Sequence, residues 1–328
     1  MPPKGVIAEL GWVFARFFWG ESEFGFKRHW SAWKILCRPV EEGGVGFCSL
    51  QAIIEAFSRK LWWLFRYGLS LWAQFMRARY VGELHPNQVS ISPKFSPTGK
   101  RMFRIRFSME MWLKWDLSRE DVAFWWDNWS GLDPLAWRFP DLASNARVYD
   151  FLREGQWDHL TLAAFPSEVT ESAADSFFCF GKVPDGLVWT LQLLGEFSTK
   201  LAYQVVRSSG IRLWTFVSIW HSLIQQKFSF LMWRLLHEQL PVDNVLAKFQ
   251  GHGPSRCQCC SLPQLETLQH VFATGVLANE VWGFFGQSLG VATPSVACVR
   301  SRCYKWWLLS VKGRAFRWLS RVLPLLIV

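Results

Sequence analysis

Across residues 50–80 apolar side chains recur at every third and fourth position (Ile54, Phe57, Leu61, Trp62, Phe65), the stripe of a helix with one face in a core. Gly68 interrupts the run, so the spacing predicts two helices broken there. Arg59, Lys60, Arg66, Arg77 and Arg79 decorate the remaining positions. The chain of 328 residues holds 22 Trp and 28 Phe against 5 Tyr. Most of the Trp fall at helical spacing beside other apolar residues. Core packing between helices is therefore the first reading of the indoles, and platforms for stacked bases the second.

The same reading extends along the chain. Residues 5–20 are apolar and aromatic and stop at Gly20, and residues 29–39 read as a short helix stopped by Pro39. Gly43, Gly44 and Gly46 mark a tight turn, which is no phosphate loop because no Gly-Lys-Ser/Thr follows. Pro86, Pro93 and Pro97 make residues 85–100 the best linker. Residues 124–129 and 187–191 are strand-like, and a turn at Gly195 suggests a hairpin running into a helix over 197–203. Helices are expected over 214–225, 228–240 (stopped by Pro241) and 280–285, with Asp243 as a cap for another short one. The expected fold is α+β, predominantly α-helical, with short β-hairpins and a small degenerate zinc-knuckle region.

The net charge of +10 favours a polyanionic partner, RNA or DNA or an anionic membrane surface. Residues 281–328 contain no acidic side chain, while Arg300, Arg302, Lys305, Lys312, Arg314, Arg317 and Arg321 are basic. A second acid-free run is Lys94, Lys100, Arg101, Arg104 and Arg106. Lys100, Arg101, Arg104, Arg106, Arg314 and Arg317 are the candidate phosphate contacts, with a merely solvated face as the alternative. A basic amphipathic helix over 305–321 lying on a membrane ranks lower. Gly283, Gly286, Gly290 and Pro294 make residues 281–299 a poor membrane span. No signal peptide opens the chain, and the clustered cysteines suit metal better than disulfides. An intracellular site, nucleus or cytoplasm, is expected rather than secretion, so the Asn128-Trp-Ser130 sequon is expected to carry no glycan.

Cys257-Gln-Cys259-Cys260 is followed, nine residues on, by His270. A Cys-x-x-Cys pair and a later His are the usual start of a tetrahedral zinc site. A knuckle of this kind needs a fourth ligand soon after the His, yet none occurs before Cys298. Cys259 and His252 are the nearby substitutes. No carboxylate stands in a His-x-Glu or His-Glu-x-x-His context, so a catalytic zinc is not expected. No Gly-x-Ser-x-Gly, Gly-x-Gly-x-x-Gly or Walker motif points to a small-molecule substrate. His29, His85, His159 and His221 read as surface or satisfied core residues, and Asp127, among Trp125, Trp126 and Trp129, as a turn carboxylate.

Several segments together resemble a known family. They include Phe18-Trp19-Gly20, the run from Trp33 through Cys37-Arg38-Pro39 to Gly46, and Leu71-Trp72. Further words are Phe124-Trp125-Trp126-Asp127-Asn128-Trp129, Trp189 with Gly195-Glu196-Phe197-Ser198, and the stretch from Phe228 through Trp233 to Pro241. Cys257-x-x-Cys260, Glu266 to His270-Val271-Phe272 and Val281-Trp282 complete the order. The order resembles the C-terminal part of plant LINE-type (non-LTR) retrotransposon reverse transcriptases, with their zinc-binding region. The resemblance implies Cys257, Cys260 and His270 as zinc ligands and a fourth, Cys, where Gly275 stands. It also implies boundaries: a Trp-rich helical region over 1–85, linker and mixed short elements over 86–185, the zinc-binding-like domain over 186–290 and a basic tail over 291–328. The family's paired-Asp polymerase motif is missing, and neither palm nor ribonuclease H sequence is recognised. The expectation is a non-catalytic polyprotein fragment with residual RNA or DNA binding and weak or no zinc. Alternatives are a decayed product without selected activity and, last, a remnant polymerase or nuclease.

Overall fold

The computed structural model describes residues 3–22, 25–117, 122–176, 186–207, 209–220, 224–250, 256–261, 264–290, 298–308 and 314–328. Contacts gather the chain into two units, Met1–Ile7 with Leu50–Ser208 and Ala8–Ser49 with Ser209–Val328. This division falls elsewhere than at residues 85, 185 and 290, because residues 8–49 pack with the C-terminal part of the chain. Helices dominate, and the described strands form three two-stranded antiparallel pairs.

In the first unit the interrupted stripe becomes two helices, Leu50–Tyr67 and Leu71–Tyr80. Gly68 ends the first: its amide donates to the Leu64 carbonyl at 2.7 Å, and a Cβ there would lie 2.3 Å from that oxygen. Ser70 restarts the chain by accepting the Ala73 amide. The buried face is Ala52, Ala56, Arg59, Trp62, Trp63 and Phe65, which leaves Phe57 exposed. The small residues turn inward, so close helix packing rather than side-chain size sets the face. Trp62 and Phe65 join Met102, Phe103, Met109, Leu113 and Trp189 in one core cluster. Each such side chain contributes roughly 1.5–3 kcal/mol on burial.

The strand Gly186–Trp189 forms as the sequence suggests, but it pairs with Leu113–Asp116, with Leu113 opposite Trp189. The expected hairpin into residues 197–203 is instead a turn leading to the Thr199–Val206 helix, capped by Ser198. Residues 124–129 are not a strand. Their amides turn to Ala146 and Ala123, and Phe124, Trp125 and Trp129 sink into a second cluster with Phe151 and Leu162. Asn128 is buried, and its side chain donates to the Glu110 carbonyl, so the sequon asparagine is spent on the fold.

The second unit is built on the Gln226–Leu236, Val276–Ser288, Val299–Trp307 and Arg314–Ile327 helices. Of residues 305–321, 305–307 end the third of these helices and 314–321 lie on the fourth, while 309–313 lie outside the described residues. The helix from Trp214 stops at Ile219, short of residue 225, and the one from Trp33 spans only Trp33–Leu36. Gly43 adopts φ +81°, and a Cβ on Gly44 would lie 1.9 Å from the Arg38 carbonyl. That turn presents the Gly43 carbonyl to Trp233 Nε1 and His237 Nε2, at 2.9 and 2.8 Å. No described helix is long and apolar enough to cross a membrane.

One buried ion network holds the first unit. Arg66 lies between Glu110 and Asp127, with Trp62 Nε1 on Glu110 Oε1 at 2.7 Å and His85 Nε2 3.0 Å from Asp127 Oδ1. Burial alone would push the Asp127 carboxyl up, but His85 and Arg66 outweigh it and hold the carboxyl well below the usual range. A carboxyl depressed in the folded state stabilises above its unfolded value, about pH 4, and loses that contribution as pH falls further. Arg66→Met, which strands two buried carboxylates, is expected to cost about 3–5 kcal/mol in urea unfolding at pH 7. The same series repeated below pH 4 should show the wild-type advantage shrinking. An advantage that grows on acidification would contradict the ion-pair account.

Candidate metal centre

The segment around Cys257 is shaped by three local bonds. Arg256 and Leu265 form an antiparallel bridge, the Cys257 amide donates to the Gln264 carbonyl at 2.8 Å, and the Cys259 amide donates to Cys257 Sγ at 3.4 Å. This folds Cys257-x-x-Cys260 so that both thiols face one point. Thr267 caps the next turn by accepting the His270 amide at 3.0 Å. The chain then makes a π-helical turn over His270–Thr274, closed by the Gly275 amide on the His270 carbonyl at 2.8 Å. Such wide turns recur at functional sites. Trp282 Nε1 donates to Phe272 in the same turn at 3.0 Å and pins it to the helix that follows.

The result brings Cys257, Cys260 and His270 together. Their three ligand atoms lie within 4.8 Å of one another, with Cys260 Sγ 3.2 Å from His270 Nε2. Ligands of a tetrahedral zinc, with bonds near 2.3 Å to sulfur and 2.0–2.1 Å to nitrogen, stand about 3.5–3.8 Å apart. The three donors thus fit zinc with small adjustments. Cys257 and His270 are buried, which keeps water off two of the three donors. Burial and the neighbouring thiols push the Cys257 thiol up, so without a cation the protonated form is favoured.

Gly275 stands where the resemblance implies a fourth ligand. The π-turn returns the chain to the imidazole, so that a Cβ at this position would lie 3.3 Å from His270 Nε2. It would also come 2.6 Å from the His270 carbonyl, a contact the backbone must relieve. The backbone itself suits any L-residue, at φ −66° and ψ 160°. Cys259 is exposed and stands outside the three-atom cluster. Cys298 instead caps the Val299–Trp307 helix through the Ser301 amide. His252 lies outside the described residues.

The basic residues are dispersed by the fold. Lys100, Arg101 and Arg104 lie on the Pro97–Arg104 helix, with Arg104 exposed and the other two half-buried. Arg106 is a correction: it is buried, and its guanidinium donates to the Pro86 and Val89 carbonyls, so it is spent on holding residues 86–89. Arg314 and Arg317 lie on the Arg314–Ile327 helix, and their side chains lie outside the described set. Arg302 of the tail is buried on Asn279. The parts played by Thr267, which caps the His270 turn, and by Trp282, which bonds Phe272 within it, were not read from the sequence. A Thr three residues before a ligand His is a capping signal that could have revealed the first.

Residues 197–282 match the family described as zinc-binding in reverse transcriptase. No curated protein and no solved structure matches the chain. The family match spans Cys257, Cys260, His270 and Gly275, and it ties this segment to reverse transcriptases.

Gly275→Cys tests the fourth corner. Without metal the crowded Cβ should cost about 1–3 kcal/mol and lower the melting temperature. With zinc the order should reverse, and competition with a chelating dye should show at least tenfold tighter binding than wild type. Equal zinc affinity in the two proteins would mean that position 275 does not face the ion.

Proposed function

We propose that this chain is a non-catalytic part of a retrotransposon-derived reverse transcriptase, of the plant LINE type, that keeps a weakened zinc knuckle and binds RNA or DNA inside the cell. The observation that carries the reading is the assembly of Cys257, Cys260 and His270 around one point within the family-matched segment. Those three residues would hold the zinc, which would act as a structural crosslink between the Cys257–Cys260 turn and the His270 turn. The lost thiolate at Gly275 removes a good part of the ~10–16 kcal/mol that structural zinc supplies in small zinc peptides. The non-catalytic reading draws on the carboxylates. Glu110 and Asp127, two buried carboxylates on either side of Arg66, are both committed to it. Lys100, Arg101 and Arg104 would supply phosphate contacts, and so would Arg314 and Arg317 from the basic tail.

A second reading, a decayed product without selected activity, is favoured by Gly275 alone. Cooperative unfolding of the purified protein would count against it.

Elemental analysis of the purified protein should find zinc in wild type and none in Cys260→Ser. Equal content in both would remove the knuckle from the proposal. Affinity for a labelled RNA should fall steeply between about 50 and 200 mM salt, as expected when phosphates are neutralised by Lys and Arg. An affinity indifferent to salt would refute the binding reading.

A further inference from the structure

Beside the knuckle, within the second unit, lies a cleft of about 550 Å³, a size suited to one nucleotide. One wall comes from residues 28–30, another from the Asp243–Gln250 helix, and the floor from Thr267 to Gln269, next to the metal ligand His270. The Arg28 guanidinium carbon lies over the exposed Phe249 ring, 3.3 Å from its centroid, and 5.7 Å from that of Trp30. Arg234 stands over the same Trp30 ring at 5.2 Å. Neither Arg28 nor the exposed Lys248 has a carboxylate partner among the described residues. The side-chain oxygen of Gln239 is buried without a hydrogen-bond partner, and Asn244 adds a second amide to the lining.

The rim is also held under strain. Glu238 is a non-glycine residue at φ +58°. It stays there because the Gln239 amide donates to the Arg234 carbonyl at 2.8 Å, while the Arg234 fork holds the Gln239 carbonyl through Nε and Nη2. Strained backbone of this kind is retained where surrounding contacts over-determine it, often at ligand clamps. A cation over an aromatic ring without a carboxylate partner, a second exposed cation, an orphaned amide acceptor and a nucleotide-sized volume coincide in one place. Cations and rings bind single strands through phosphates and base faces, and amides meet the exposed base edges.

We propose that this cleft is a single-stranded nucleic-acid site that takes one unstacked nucleotide. Phe249, Trp30 and Arg28 supply the stacking surface, Arg28 and Lys248 the phosphate charge, and Gln239 and Asn244 the contacts to the base edge. The proposal rests on the nucleic-acid reading given above and assigns it a place that the basic runs of the sequence did not indicate. A duplex, whose bases are paired and stacked, cannot deliver a base into the cleft, so the site discriminates single strands from double strands. Because the floor includes Thr267, whose hydroxyl caps the His270 turn, occupancy and metal binding share a structural element.

Fluorescence anisotropy with a labelled single-stranded RNA of about twelve nucleotides, and with the same RNA annealed to its complement, tests this on the full chain. Phe249→Ala and Arg28→Lys alter exposed side chains, and unchanged melting temperatures would verify their folding. Arg28→Lys keeps the charge and removes the planar stack. Each should weaken single-strand binding about tenfold, the loss of one stacking platform, and leave duplex binding within about twofold. Lys100→Ala, outside the cleft, should weaken both forms alike. If wild type binds single-stranded RNA and both cleft variants bind it equally well, the cleft is not the site, although the nucleic-acid reading stands. The cleft would then suit an acidic protein segment better. If wild type binds neither form, the nucleic-acid reading fails and the cleft proposal with it.

Discussion

A buried indole brings one N–H that is costly to leave without an acceptor, and the chain's 22 Trp meet this constraint in two ways. Burying the ring contributes about 2–3 kcal/mol and an unmade N–H costs about 1–3 kcal/mol, so burial carries rings such as Trp189, whose Nε1 is buried without a partner, while an acceptor fixes the others in one orientation. Carbonyls that carry a spare lone pair are the usual solution. Trp129 donates to Phe124, Trp233 to Gly43 and Trp307 to Arg321, at 2.7, 2.9 and 3.1 Å. Trp62 uses the Glu110 carboxylate instead, and that choice brings a charge into the interior, which Arg66 must then neutralise. The glycine turn at residues 43–46 has a purpose in the same terms. It offers one carbonyl to both Trp233 and His237, and no side chain could be accommodated at Gly44.

What could be read from the sequence follows from how local each interaction is. The helices on either side of Gly68 are set by periodicity and by a carbonyl four residues away, and both were legible. Residues 124–129 have strand-like composition, yet Asp127 Oδ2 turns back to the Ala123 amide at 2.9 Å while its other oxygen meets Arg66, 61 positions earlier. No local pattern reports a partner that distant. The same blindness explains the cationic side chains. Arg66 and Arg77 read as helix decoration and Arg106 as a candidate phosphate contact, but Arg77 holds the Phe65 and Gly68 carbonyls and Arg106 those of Pro86 and Val89. A long side chain can reach inward from a polar position, so charge on a helical wheel does not by itself mean exposure.

The metal cluster was legible for the opposite reason: two ligands three residues apart and a third ten residues on lie close whatever the rest of the chain does. Gly275 as a fourth corner is implied by the resemblance alone, and the π-turn brings that residue close to His270. An ordinary α-turn would not close with the Gly275 amide on the His270 carbonyl, the bond that sets residue 275 against the imidazole. The nucleotide-sized cleft was invisible, because Arg28 and Phe249 are far apart in sequence and meet only in the folded unit.

In small zinc fingers the metal provides the folding energy, and removing a ligand unfolds the module. Here the knuckle is fastened independently of metal. Leu268, Ala273 and Trp282 belong to the buried cluster of the second unit, Thr267 caps the ligand turn, and Phe272 receives an indole N–H. The Cys257 and Cys259 amides are likewise satisfied, by Gln264 and by Cys257 Sγ. With these bonds in place, a glycine at position 275 leaves intact the segment that carries Cys257, Cys260 and His270. Those three side chains keep their positions because the core and the local hydrogen bonds hold them there.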